Sequence, residues 1–114
     1  MANTVTFQGK IIQITPDGTQ DWYPSSTTTG EGLGLPTDWI CVKSIAFEPS
    51  AANDALVINE AGTDGPSIMH VSCTATTDQK IKYFGDGSWI RPYMDASDCT
   101  FGTAANARIL IEVV

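Results

Sequence analysis

Short runs rich in Val, Ile, Thr and aromatic residues, broken by Gly, Pro, Asp and Asn, recur along the whole chain, and no amphipathic helical pattern persists. Residues 4–8 alternate, with Val5 and Phe7 on one face, and residues 10–15 place Ile12 and Ile14 together. Pro16-Asp17-Gly18-Thr19 has the chemistry of a turn and predicts a hairpin whose return strand holds Trp22 and Tyr23. Along 38–48, Trp39, Cys41, Ile45 and Phe47 share one parity, while Ile40, Val42 and Ala46 take the other. Such a strand should be covered on both faces, by its own domain or by another chain.

Residues 55–60 bring Leu56 and Ile58 to one face, and 66–73 set Met69, Val71 and Cys73 against Ile68 and His70. Residues 79–84 carry Ile81 and Tyr83 opposite Lys80 and Lys82. Gly85-Asp86-Gly87 then predicts a turn into 88–91, and Pro92 ends that run. The last segment has the cleanest alternation: Ala107, Ile109, Ile111 and Val113 inward, Arg108 and Glu112 outward. About eight short strands at this spacing predict an all-β fold, one antiparallel β-sandwich or jelly roll over residues 1–114. Periodicity does not encode strand order, so both topologies stay open.

The run 24–37, rich in Ser, Thr and Gly, offers little to anchor a core and reads as a loop. Loops of this length in a compact domain are usually functional or disordered. Here it reads either as a mobile solvent loop or as an arm that orders against a neighbouring subunit, with Leu33 and Leu35 as its apolar anchors.

Charge narrows the partners. Six basic residues are scattered among thirteen acidic ones, a net charge of −7, and a nucleic-acid surface needs clustered Lys and Arg. No apolar run approaches the length of a spanning helix. Met1-Ala-Asn-Thr lacks the basic and apolar regions of a secretory signal, so the expectation is a soluble protein made in a cytoplasm. Cys41, Cys73 and Cys99 are an odd, widely spaced set, read as reduced, small core residues.

Candidate chemistry is sparse. His70 and Cys73, three apart on a strand, point to opposite faces, which counts against both a zinc set and a Cys–His nucleophile. No G-x-S-x-G run occurs, and the glycines of 30–34 lack the Lys and the helix of a phosphate loop. Asp86, Asp95 and Asp98 are the acidic residues to weigh for a catalytic pair or a calcium ion, against their plainer role as turn formers. Trp22, Tyr23, Trp39, Trp89 and Tyr93 could form a sugar-stacking platform, with Trp22, Trp89 and Tyr93 foremost, but aromatics also dominate cores and interfaces. Trp39 and Tyr83 read as core, and Trp22 and Trp89 as caps on the ends of the sandwich. No enzyme, cofactor or metal is expected.

Two runs carry a resemblance. Val42-Lys-Ser-Ile-Ala-Phe-Glu-Pro-Ser-Ala-Ala-Asn-Asp-Ala-Leu-Val-Ile-Asn-Glu, followed by Gly65-Pro66, is one. Lys82-Tyr-Phe-Gly, then Ile90-Arg-Pro-Tyr-Met-Asp-Ala-Ser-Asp-Cys-Thr-Phe, ending in Ala107-Arg-Ile-Leu-Ile-Glu, is the other. Over residues 40–113 the chain is similar to small β-sandwich virion structural proteins of tailed bacteriophages. The resemblance implies a capsid decoration protein, or a tail or neck component, acting through protein–protein contacts and without catalytic residues. Its implied partners are further copies of itself, a trimer among the options, and a major capsid or other virion protein; a glycan is the alternative. The residues expected to meet a partner are Trp22, Tyr23, Leu33, Leu35, Trp89, Arg91 and Tyr93.

Overall fold

The computed structural model describes residues 3–26 and 34–114. Eight strands alternate along the chain with turns: β1 (Thr4–Gln8), β2 (Ile11–Thr15), β3 (Ile40–Glu48), β4 (Ala55–Glu60), β5 (Ser67–Ser72), β6 (Lys80–Ile90), β7 (Pro92–Met94) and β8 (Arg108–Val113). Two short 3-10 turns, Ala96–Asp98 and Ala104–Asn106, lie between β7 and β8. The strands form two antiparallel sheets, ordered β1-β2-β8-β3-β6 and β5-β4-β7.

That order is a jelly roll. Trp22 makes one antiparallel bridge to Met94, with N–H···O distances of 3.1 and 2.8 Å. It thereby stands as a fourth, one-residue member beside β7. From β2 onward the chain visits the sheets in the order of two nested Greek keys, and β1 is an added edge strand. The expected hairpin at 16–19 is therefore corrected. Asp17 does close a turn there, its carboxylate accepting the N–H groups of Thr19 (2.8 Å) and Gln20 (2.9 Å). The turn sends the chain across to the other sheet, however, and the real hairpin is the Gly9-Lys10 turn between β1 and β2, where Gly9 takes φ +61°.

The core lies between the sheets. Ile12, Ile14, Val42, Ile45, Phe47, Ile109 and Ile111 of the larger sheet pack against Leu56, Ile58, Met69 and Met94 of the smaller. Four of these alternations match the sequence expectation; β3 does not. Its buried residues are Ile40, Val42, Ile45 and Phe47, two parities in one strand. A bulge explains it: against β8, Val42 pairs with Val113 and Ser44 with Glu112, so Lys43 is one residue extra. Lys43 and Ser44 both turn outward, and the inward parity changes at that point.

Opposite the same bulge, Ser88 and Tyr83 of β6 pair with Val42 and Ser44. Residues 84–87 are thus absorbed within one long strand instead of ending it, which corrects the expected turn at 85–87. Gly87 takes φ +127°, and a Cβ there would come within 2.6 Å of Val114 Cγ2. The parity change also corrects two core assignments, since Trp39 is 45% exposed and Tyr83 75%.

Candidate functional site

The chain crosses from the large sheet to the small one at Arg91, between β6 and β7. Ile90, Pro92 and Met94 turn in toward the core, so Trp89, Arg91 and Tyr93 turn out. Two of the three, Arg91 and Tyr93, are held. The Arg91 guanidinium sits over the Trp39 ring, 4.4 Å from its centroid, and its Nε donates to Glu60 Oε1 at 2.8 Å. Glu60 also accepts the Arg91 backbone N–H at 3.0 Å, so one carboxylate fixes both main chain and side chain. Tyr93 stacks on Tyr23 with ring centroids 5.3 Å apart and planes within 3° of parallel. Trp89, beside Cys41, is 68% exposed and lies open on the face.

Asp21 anchors the tyrosine pair from below. Its carboxylate accepts the Tyr93 hydroxyl at 2.6 Å and the Ala96 N–H at 2.8 Å. Burial, then the accepting Asp21 carboxylate, pushes the Tyr93 hydroxyl well above its ordinary pKa of 10.0. Burial likewise lifts the Cys99 thiol from 9.0 to about 11. Both groups are neutral when folded and lose their protons more readily when unfolded. Their contribution is therefore complete below pH 9 and fades as pH rises above 9 to 10. Tyr93→Phe is expected to cost about 1–2 kcal/mol at pH 7 through the lost hydrogen bond. Urea unfolding at pH 7 and pH 10.5 checks this: the gap from wild type should narrow at the higher pH, and an unchanged gap would show that the hydroxyl is not held neutral.

The residues expected to meet a partner are thus sorted. Tyr23, Arg91 and Tyr93 converge with Trp89 next to them. Leu35 is half-buried against the core at the base of the 24–37 loop, its N–H bonded to Pro24 O at 3.2 Å. Leu33 lies outside the described residues. Trp22 is neither a surface contact nor a sandwich cap: it is 1% exposed, in the core. Glu60 and Asp21 were missed, and Trp39, read as a stacking or core aromatic, was not expected beneath Arg91. Trp39 was hidden by the parity change, and no sequence signal links Glu60 or Asp21 to residues 31 and 72 positions away.

From Trp89 the exposed face continues over the outer side of the large sheet. Tyr83, Ile81 (49% exposed), Val114 and Ile11 project there, with half-buried Cys41, Ala46 and Leu110 between them. Trp, Tyr and Arg with few charges at the centre is the composition of a protein interface.

The outer side of the small sheet is different. A shallow groove of about 460 Å³ is floored by Val57 and lined by Asn59, Thr63, Asp64, Ser67, His70 and Asp98. Asp98 reaches it, but Asp95 is buried, accepting the Ser97 N–H at 3.2 Å, and Asp86 sits on β6 of the other sheet. The three carboxylates weighed for catalysis or calcium do not meet, and among the described residues no three His, Cys, Asp or Glu side chains form a metal-binding group. Of the five aromatics weighed for sugar stacking, Trp22 goes into the core, while Tyr23 stacks on Tyr93, Trp39 lies under Arg91 and Trp89 stands open beside them. His70 is exposed, Cys73 is buried, and all three cysteines are free. Among the described residues no helix is long and apolar enough to cross a membrane. Compared with protein-family models, curated proteins and solved structures, the chain matches none.

Proposed function

We propose that this protein is a non-catalytic assembly module, a virion structural protein of the capsid-decoration type that works through protein–protein contact. The observation that carries the reading is the outward row Trp89, Arg91 and Tyr93, in which Trp39 and Glu60 preorganise Arg91 and Tyr23 preorganises Tyr93, continuous through Trp89 with an apolar sheet face. Rigid aromatic and arginine anchors are the side chains that dominate binding energy at interfaces. The jelly roll supports it by analogy, since viral capsid and lectin domains both use this architecture. The phage setting, with a major capsid protein or a tail or neck component as partner, rests on the sequence resemblance. In that setting the chain is made in the host cytoplasm and ends in the particle.

Mass spectrometry of purified particles of the encoding phage tests this. The chain should be present, and Arg91→Glu should leave it in the soluble fraction. Absence of the wild-type chain from the particles would sink the reading. A second reading, carbohydrate binding, now falls to the groove of Asn59, Asp64, Ser67 and His70, whose convergent polar groups suit hydroxyl recognition. Backbone amide shifts of Asn59 and His70 in a glycan titration would favour it.

A further inference from the structure

The exposed apolar side chains are distributed very unevenly. Of the seven large ones described, Ile11, Trp39, Ile81, Tyr83, Trp89 and Val114 all belong to the outer side of the large sheet, and only Phe7 lies elsewhere. We propose that this face packs against the same face of a second copy, giving a two-fold dimer; the proposal rests on the assembly reading and names one of its partners.

Four observations select that occupant. First, area: taking about 150–250 Å² for a fully exposed large side chain, the six exposed residues present roughly 500–800 Å², comparable to the ~800 Å² per partner of a standard interface.

Second, charge. The charged residues on and beside the face are Lys10, Lys43, Arg91 and Arg108 against Glu48, Glu60, Asp86 and Glu112, four of each sign, in a protein of net charge −7. Two copies meet there without like-charge crowding. The groove side, with Asp64 and Asp98, would not allow that.

Third, symmetry. A head-to-tail ring needs two different complementary patches, whereas a two-fold contact uses one patch twice. Among the described residues no second apolar patch exists, which disfavours the trimer.

Fourth, the edge is guarded. Of the two free edges of the large sheet, β1 and β6, β6 is the one that borders Tyr83 and Trp89, and it carries Lys80, Lys82 and the expansion at 84–87. Lysines and bulges on an edge oppose strand-to-strand addition. Lys82 Nζ donates to Ile68 O, laying its stem along that edge. The contact is face to face.

Light scattering on the purified chain across a concentration series tests this. The expected mass is 24.4 kDa, twice the 12.2 kDa of one chain. Trp89→Glu and Tyr83→Glu, both at exposed positions, should each weaken dimerisation about 100-fold or more while leaving the circular dichroism spectrum unchanged. Thr77→Glu, in an exposed turn away from the face, should leave the dimer intact. Dilution should also red-shift tryptophan emission as Trp89 and Trp39 return to water. A monomer at every concentration, a trimer, or a dimer indifferent to both glutamates would overturn the proposal. A monomer that still enters particles through Arg91 would leave the assembly reading standing; a dimer absent from particles would sink that reading and keep this one.

Discussion

Trp22→Ala is expected to lose about 3–5 kcal/mol of stability, the range for truncating a large buried aromatic. A domain of this size has roughly 5–15 kcal/mol in total, so the variant should be half-unfolded in mild denaturant. The indole is part of the core cluster, and its backbone is the whole of the fourth strand of the small sheet. Any loss of assembly in this variant therefore reports unfolding, not a missing contact. Denaturant titration by circular dichroism checks the figure, and a loss below about 1 kcal/mol would place Trp22 outside the core. Trp22→Phe should cost less than its lost volume suggests. Nε1 is buried with no hydrogen-bond partner, and removing an orphaned donor recovers part of its desolvation cost.

The second large effect is expected at Asp54, which is 0% exposed and joins two loops. One carboxylate oxygen accepts the Ser50 N–H and hydroxyl, both at 2.6 Å, and the Ala51 N–H at 3.2 Å. The other accepts the Gly102 N–H at 2.7 Å, and the Ser50 hydroxyl oxygen accepts the Thr103 N–H at 3.0 Å. Asp54→Ala strands several donors at once and should cost about 3 kcal/mol. Asp54→Asn should do little better, because an amide NH₂ would face either Gly102 or Ser50.

Burial alone would raise the Asp54 pKa. The Ser50 hydroxyl and the N–H groups of Gly102, Ser50 and Ala51 outweigh it and hold the carboxyl below its ordinary 3.8. With the folded pKa depressed, the contribution is complete above pH 3.8 and is lost as pH falls through the folded value. The gap between wild type and Asp54→Ala should accordingly close in acid. A gap that persists at pH 2 would mean that the charge is not what holds the loops.

The strands that could be read from sequence are those whose alternation depends on nothing outside them. Leu56 and Ile58, and Ile109 and Ile111, keep strict parity because the extra residue at each irregular pairing lies in the partner strand, and Met69 and Cys73 follow the one in β5. The reading fails where partners impose an irregularity. Lys43 looks like any polar strand residue, and only the pairing of β3 with β8 makes it supernumerary. Gly85-Asp86-Gly87 has turn composition, yet β3 on one side keeps it in a strand. The row Trp89, Arg91 and Tyr93 was legible residue by residue, but Trp39 and Glu60, which make it rigid, arrive from other elements. The topology was not legible at all, because it hangs on the single bridge at Trp22.

The one extra residue at Lys43 separates two sets of obligations that a regular strand would mix. Before it, Trp39 and Cys41 answer to whatever meets the molecule from outside; after it, Ile45 and Phe47, spaced as if on the same face, answer only to the interior. New side chains at the first pair can change what the protein recognises while the fold stays as it is. Removing Lys43 itself would rejoin the two, turning half the strand inside out, a heavier injury than any replacement along its length.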